Sequence, residues 1–372
     1  MIYFDNAATT YPKPQCVYDA INEGMHKYSF NVGRSGYRES TETFKMVEQT
    51  RKLIADMAQT DSHNIIFTSS ATESLNMIIG GLKLSQNDYV YVSPFEHNAV
   101  VRTLALYGAK VEIIPFDKST WEVNLDELND MFALKKPKAV ILSQISNVTG
   151  YLLPYISIFK LSKKFNSINV LDSAQAFGVY GAENDNVDYL VFAGHKSLYA
   201  MFGIAGFVKY TTLPLAIMKA GGTGSDSLNE KMPEQTPQKY EAGSLNSVGI
   251  YSINASIKFL RNNSFAKIEY DLVKYFLDRI KEIKEVKVFL PDGYVPYGIV
   301  SIAIEGFSSE DIGTILAEDY DICVRTGYHC APYIHDFIGS KIYGGTIRFS
   351  FGGFNTKEEI DTLINALKEV VL

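Results

Sequence analysis

The chain has 372 residues, 46% hydrophobic and 21% charged, with a formal net charge of −7. This is the make-up of an ordinary globular protein of one large or two smaller domains, and its acidic balance gives no electrostatic reason to expect nucleic acid or an anionic membrane as partner. No apolar run approaches the roughly 20 residues of a membrane helix, and the opening Met1-Ile-Tyr-Phe-Asp-Asn-Ala-Ala lacks the basic and apolar regions of a signal peptide. Three cysteines (Cys16, Cys323 and Cys330) are too few for a disulfide framework and show no metal-ligand spacing. A cytoplasmic protein with free thiols and no metal is expected.

Through the first two thirds, short apolar runs of strand type alternate with helical periodicity. Strands are expected at 64–67, 89–92, 111–114, 139–142, 169–171, 189–192 and 205–208, with helices between them such as 43–57 and 155–165. The alternation predicts an α/β fold: a mostly parallel, seven-stranded type of sheet with helices on both faces and a site at the carboxyl ends of the strands. Residues 221–240, rich in Gly, Ser, Pro and charge, read as a long functional loop. One long helical stretch is expected over 247–283. Strands at 286–290 and 299–304 follow, then a helix at 309–318 and strands at 322–325 and 346–350. The last helix opens on a capping box, Thr356-Lys-Glu-Glu359. The reading gives a large α/β domain over 15–250 and a smaller α+β domain from 1–14 and 251–372.

Lys196 ends one apolar run, in Phe192-Ala-Gly-His-Lys196, and Asp172 ends the run before it, in Val170-Leu-Asp-Ser-Ala-Gln175. A lysine and a carboxylate so placed suit pyridoxal 5′-phosphate (PLP): the amine forms a Schiff base with the cofactor aldehyde, and the carboxylate keeps the pyridine nitrogen protonated. Four further segments fit that cofactor. Ala71 and Thr72, in Thr68-Ser-Ser-Ala-Thr-Glu73, open a helix after a strand, where free N–H groups suit a phosphate, although such residues also serve simply as caps. His97 stands where an imidazole can stack on the ring and shuttle a proton, or merely cap a helix. The amide of Asn147 can bond the ring's phenolic oxygen, though Asn before Val-Thr-Gly is equally a turn former. Gln175 can reach the phenolic oxygen or the Schiff base. For a substrate carboxylate, Arg348 inside the strand Thr346-Ile-Arg-Phe-Ser350 and Arg34 in the Gly-rich Asn31-Val-Gly-Arg-Ser-Gly36 both offer a guanidinium fork. A charge inside an apolar strand such as Arg348 requires a partner.

The order Asp5-Asn-Ala-Ala-Thr9, Ala71-Thr-Glu73, Glu96-His97, Ser146-Asn147, Asp172-x-x-Gln175, Gly194-His-Lys196, Glu241-Ala-Gly243, Arg325-Thr-Gly-Tyr-His-Cys330-Ala and Arg348 resembles class V aminotransferase-fold PLP enzymes. Within them it looks like the cysteine desulfurases of group II, the selenocysteine lyase-like group with a short, ordered cysteine loop. The resemblance covers essentially the whole chain. It implies a fold-type I PLP-dependent transferase, a homodimer with two sites at its interface, and loops around Arg34 and Thr223 that reach the neighbouring cofactor. It assigns Lys196 to the Schiff base, Asp172 to the ring nitrogen, His97 to ring stacking, Thr72, His195 and Thr223 to the phosphate, Arg348, Asn147, Arg34 and Ala7 to the substrate, and Cys330 to the persulfide-forming nucleophile. Three positions depart from the pattern: Ala193 replaces a common serine, Ser244 a threonine, and Tyr328 the first of two histidines before the cysteine.

Desulfuration needs a thiolate placed to attack sulfur. The expected chemistry has Lys196 as base at Cα, Cys330 attacking the sulfur of L-cysteine, and His97 as general acid–base, with release of L-alanine and transfer of sulfur to an acceptor protein for Fe–S or other thio-cofactor synthesis. Cys330 lies in a polar, glycine-containing segment, which argues against a buried structural thiol; Cys16 and Cys323 read as structural. His26, His63 and His335 read as surface or cap residues. The nearest rivals keep fold and cofactor but act as a selenocysteine lyase, a cysteine-sulfinate desulfinase, or a class V aminotransferase or epimerase. A PLP-binding protein without catalysis would be expected to lack Lys196 or Asp172, and both are present.

Overall fold

The computed structural model describes residues 1–32, 36–224 and 228–371. The first part of the chain runs β1 (Ile2–Tyr3), α1 (Gln15–Lys27), α2 (Arg38–Ala58), β2 (Ile65–Thr68), α3 (Ala71–Gly81), β3 (Tyr89–Val92) and α4 (Asn98–Tyr107). It continues through β4 (Lys110–Ile113), α5 (Leu125–Leu134), β5 (Pro137–Ser143), α6 (Tyr155–Lys163), β6 (Ile168–Asp172), β7 (Tyr189–Ala193) and β8 (Ala205–Lys209). After these come α7 (Ser247–Leu260), α8 (Phe265–Ile280), β9 (Val286–Val288), β10 (Ile299–Ile304) and α9 (Ser309–Tyr320). The chain then passes through β11 (Ile322–Cys323), β12 (Arg325–Gly327), α10 (Ile334–Phe337), β13 (Thr346–Ser350) and α11 (Lys357–Val371).

Seven strands form one sheet in the order β2-β8-β7-β6-β5-β3-β4. β8 pairs antiparallel with both of its neighbours, and every other pairing is parallel. The strands are near-continuous apolar runs because both faces are covered, as in parallel sheets generally. Their side chains divide with a period of two. Tyr91, Val140, Leu142, Leu171, Leu190 and Phe192 enter one core, where α2, α5, α6 and α7 supply Val47, Ile54, Phe132, Phe159 and Ile253. Val90, Val92, Ile141, Val170 and Val191 enter the other, with Leu75, Ile78, Val100 and Leu104 from α3 and α4. This doubly wound sheet puts the ends of β2, β3, β5, β6 and β7 on one edge, where ligands bind in open α/β sheets.

A four-stranded antiparallel sheet, β12-β13-β10-β9, carries its own core against α8, α9 and α11. The capping box before α11 forms as the sequence requires: Thr356 N–H donates to the Glu359 carboxylate (3.0 Å) and Glu359 N–H to Thr356 Oγ1 (3.3 Å). The helical stretch expected over 247–283 is two helices. The chain breaks at Asn262-Asn263-Ser264, residues whose side chains compete for backbone hydrogen bonds; the Asn262 and Asn263 amides bond back to the Lys258 and Phe259 carbonyls. α7 is unbroken from 247 to 260 and packs on the first core. The strand expected at 322–325 is likewise split, with β11 parallel to β1 and β12 antiparallel to β13.

Candidate active site

Four strand ends deliver four side chains. Asp172 is the last residue of β6, Lys196 lies three beyond β7, His97 caps α4 after β3, and Asn147 follows β5. The first turn of α3 brings Ala71 and Thr72 to the same place, its cap set by Ser70 Oγ, which accepts from Glu73 N–H at 3.1 Å. These residues, with Ser70, Ala174, Gln175, Ala193 and His195, line one cavity. Two glycines, each three residues past a site side chain, permit close backbone approaches. Gly178, at φ +124°, would set a Cβ 2.4 Å from the Ser197 carbonyl, and Gly150, at φ +69°, would set one 2.5 Å from the Ile299 carbonyl.

Burial sets the protonation of the groups in this cavity. Burial raises the Asp172 pKa above the usual carboxylate range; the Ala174 N–H (3.0 Å) and the Lys196 charge draw it back. Burial likewise lowers the Lys196 amine, chiefly against the pull of Asp172. His97 is pushed down to about 4 by burial, with Lys196 and Arg348 adding to the effect, so it is neutral near pH 7. Its Nδ1 accepts from Ala99 N–H (3.0 Å), which leaves the ring proton on Nε2. His195, also lowered to about 4 by burial, stacks on Phe202 at 4.7 Å between centroids. Its Nδ1 is buried and has no protein partner among the described residues.

The cysteine loop is pinned against this cavity from two sides. Asn98 N–H, next to His97, donates to the Cys330 carbonyl (2.6 Å), and Asn147 Nδ2 donates to the His329 carbonyl (2.8 Å). His329 and Cys330 both take left-handed conformations, φ +45° and +54°, the kind of local strain that a fold holds in place at working sites. The Cys330 side chain is exposed, whereas Cys16 and Cys323 are partly buried. His335 is not a surface or cap residue. It is wholly buried behind the loop, with Nδ1 on Ser340 Oγ (2.7 Å) and Nε2 on the Tyr328 carbonyl (3.1 Å). Arg348, 3% exposed, has the partner its burial demands: Nη2 donates to Asp5 (2.8 Å) and Nη1 to the Asn147 carbonyl (2.8 Å).

Two expected residues, Thr223 and Ala7, stand outside the wall of this cavity. Thr223 lies in a separate hollow with Arg51, Glu241 and Ser244, away from Lys196 within this chain. Arg34 lies outside the described residues. Ala7 is beside the cavity, not in its wall: its carbonyl accepts from Gln175 Nε2 (2.9 Å), which orients that amide. Two contributions went unread in the sequence. Residues 5–10 form a strap over the site, on which Thr9 and Thr10 hydroxyls donate to the His195 carbonyl (3.1 and 3.2 Å). Glu96, completely buried, accepts from Ser93 Oγ, Ser143 N–H (3.0 Å) and Ser143 Oγ (2.9 Å), locking the end of β3 to that of β5. Its place beside His97 was the available signal, but only burial tells it from a surface acid.

Known proteins resemble this chain in sequence and fold. A probable cysteine desulfurase of Vibrio cholerae is 32% identical over 100% of this chain and 94% of its own length, and one of Pyrococcus abyssi is 31% identical over the same shares. The apo structure of a cysteine desulfurase from Thermococcus onnurineus superposes with a TM-score of 0.89 at 28% identity, covering 100% of this chain and 94% of that one. Cysteine desulfurase CsdA from Escherichia coli, solved as its S-sulfonic acid, gives 0.85 at 25%, covering 99% and 94%. The aminotransferase class-V family pattern matches residues 2–363, so that sheet, lysine cavity and cysteine loop fall within one match: the chain belongs to the class-V aminotransferase family.

Proposed function

We propose that this chain is a PLP-dependent cysteine desulfurase that converts L-cysteine to L-alanine and retains the sulfur as a persulfide on Cys330. The observation that carries the reading is the meeting of two features: a Lys196–Asp172 cavity and an exposed cysteine whose loop is bonded to Asn147 of the cavity wall and to Asn98, the chain neighbour of His97. The cavity fits the cofactor. The unpartnered Nδ1 of His195 and the first turn of α3, whose N–H groups lack intrahelical acceptors, suit a phosphate where Ala193 offers no hydroxyl. Lys196 would hold the aldehyde carbon, Asp172 the ring nitrogen and His97 the ring face, with Gln175 and Asn147 beside the phenolic oxygen. When bound, PLP supplies the electron sink that lets the substrate Cα and Cβ carry negative charge.

The chain's own residues do the rest. Arg348 receives the substrate carboxylate. The Lys196 amine, lowered in pKa by burial, takes the Cα proton. The Cys330 thiolate attacks the substrate sulfur, the Cβ–S bond breaks with its electron pair remaining on carbon, and Cys330 is left as a persulfide. Protons returned to carbon complete alanine, and the role assigned to His97, whose ring proton is on Nε2, is that of general acid–base toward the substrate. The exposure of Cys330 supports hand-over of sulfur to an acceptor protein for Fe–S or related synthesis.

The division we propose is a PLP-binding domain over 15–250 and a smaller domain of 1–14 and 251–372 that carries the cysteine loop. We also propose a cytoplasmic homodimer; the placing of Thr223 away from Lys196 within one chain supports its serving the neighbouring cavity. No helix among the described residues is long and apolar enough to cross a membrane. Lys196→Ala tests the cofactor assignment. The visible absorbance of lysine-linked PLP, near roughly 420 nm as a property of the cofactor, is expected to vanish, and its survival would refute the role of Lys196.

A further inference from the structure

Arg348 sits under an unusual load. The register of β12 on β13 puts Arg325 directly opposite it, and like charges facing across a strand pair are destabilising. Burial lowers the Arg348 pKa, the carboxylate of Asp5 is the first opposing influence, and the Arg325 charge adds to the lowering. Asp5 Oδ1 holds Nη2 at 2.8 Å and the Asn147 carbonyl holds Nη1 at 2.8 Å, while Nε is buried with no partner among the described residues. Two of the three guanidinium nitrogens are therefore anchored from two different segments, and the third is free to take an acceptor.

From this geometry we infer that Asp5 is a positioning residue. It fixes the plane of Arg348 so that Nε, with the remaining Nη2 hydrogen, faces the substrate carboxylate. The inference rests on Arg348 being the carboxylate clamp. The segment of Asp5 has anchors besides that side chain. Phe4 N–H donates to the Cys323 carbonyl (2.9 Å), Ser350 N–H to the Phe4 carbonyl (2.7 Å), and Asn6 Nδ2 to the Ser350 carbonyl (2.9 Å), so the strap stays seated when the Asp5 carboxylate is removed.

The test is steady-state KM and kcat for L-cysteine, with a reductant, on the holoenzymes of wild type, Asp5→Ala, Asp5→Asn, Asp5→Glu and Arg348→Ala. Loss of a hydrogen bond to a charged group corresponds to about tenfold or more, and Asp5→Ala is expected to raise KM by that factor while kcat moves far less. Asp5→Asn keeps an oxygen on Nη2 and should recover most of the KM. Asp5→Glu keeps the charge but displaces the oxygens, so it should raise KM, and it serves in place of the alanine variant if that one does not fold. A wild-type KM in Asp5→Ala and Asp5→Glu, or an Asp5→Asn variant as impaired as Asp5→Ala, would overturn the inference. If Arg348→Ala itself leaves KM unchanged, the clamp assignment fails. If it raises KM while the Asp5 variants do not, the clamp stands and Asp5 has no part in it.

Discussion

Glu269 is a carboxyl that the fold keeps from water. It lies between the Tyr180 and Tyr199 hydroxyls, the latter at 2.9 Å, and burial pushes its pKa up to about 7. A carboxyl raised above its unfolded value binds more protons in the native state, so it costs stability as pH rises from the unfolded pKa through the folded one. Glu269→Gln removes that titration. Its stability relative to wild type should improve between pH 5 and pH 8, by on the order of 3 kcal/mol at full titration, as measured by denaturant unfolding at each pH. A difference that stays flat with pH would show that the carboxyl ionises as it does in water. The chain has 24 tyrosines, and part of that number finds its reason in such contacts. Tyr91, buried in β3, donates to the Lys135 carbonyl (2.9 Å), and Tyr189 of β7 to the Leu213 carbonyl (3.1 Å), so that large rings fill the core while their hydroxyls satisfy loop backbone. Sequence pattern cannot reveal this, because the partner is a backbone atom far along the chain. Lys196, Asp172, His97 and Arg348 were legible because each is a polar residue at the end of, or inside, an apolar run. Asp5 was visible as a motif residue but not as a partner, since its contact lies 343 residues away.

At the level of elements, α2 shows where periodicity misleads. Arg51 falls four residues after Val47 and three before Ile54, on the apolar stripe, and it is 2% exposed. It forks onto Glu241 (2.8 and 3.1 Å), donates to the Ile65 carbonyl (2.6 Å) and lies over the Phe67 ring at 4.6 Å. Glu241 in turn accepts from Phe67 N–H (2.7 Å), so one ion pair joins α2, β2 and the segment before α7. Arg51→Ala leaves that carboxylate buried without its cation, which typically costs about 3–5 kcal/mol. Denaturant unfolding should show a loss of that size, and a loss below about 1 kcal/mol, the range of exposed pairs, would mean that the pair contributes little. Strand limits in the main sheet agree with the apolar runs to within one or two residues, since packing on both faces enforces them. The break between α7 and α8 was harder to read: Ile257, Leu260 and Phe265 keep the apolar content going across Asn262-Asn263-Ser264, and only the local backbone competition of those three residues ends the helix.

Over the whole molecule, the α/β alternation, the capping box and the order of motifs carried the architecture and the family, because a doubly wound sheet repeats one local rule many times. What the pattern could not carry is the joining of distant pieces: the strap of residues 5–10 over His195, the His329–Cys330 pair held in left-handed backbone, and Asn147, which donates its amide to the cysteine loop while its carbonyl receives Arg348. These contacts give the account its central claim, that Cys330 stands at the Lys196 cavity as the nucleophile. The most direct test is to measure alanine and sulfide released from L-cysteine, with a reductant, by wild type and by Cys330→Ala. Equal amounts of the two products from wild type, and neither from the variant despite a normal PLP spectrum, are predicted. Undiminished turnover by Cys330→Ala would contradict the claim and leave the fold with a reaction that needs no thiol.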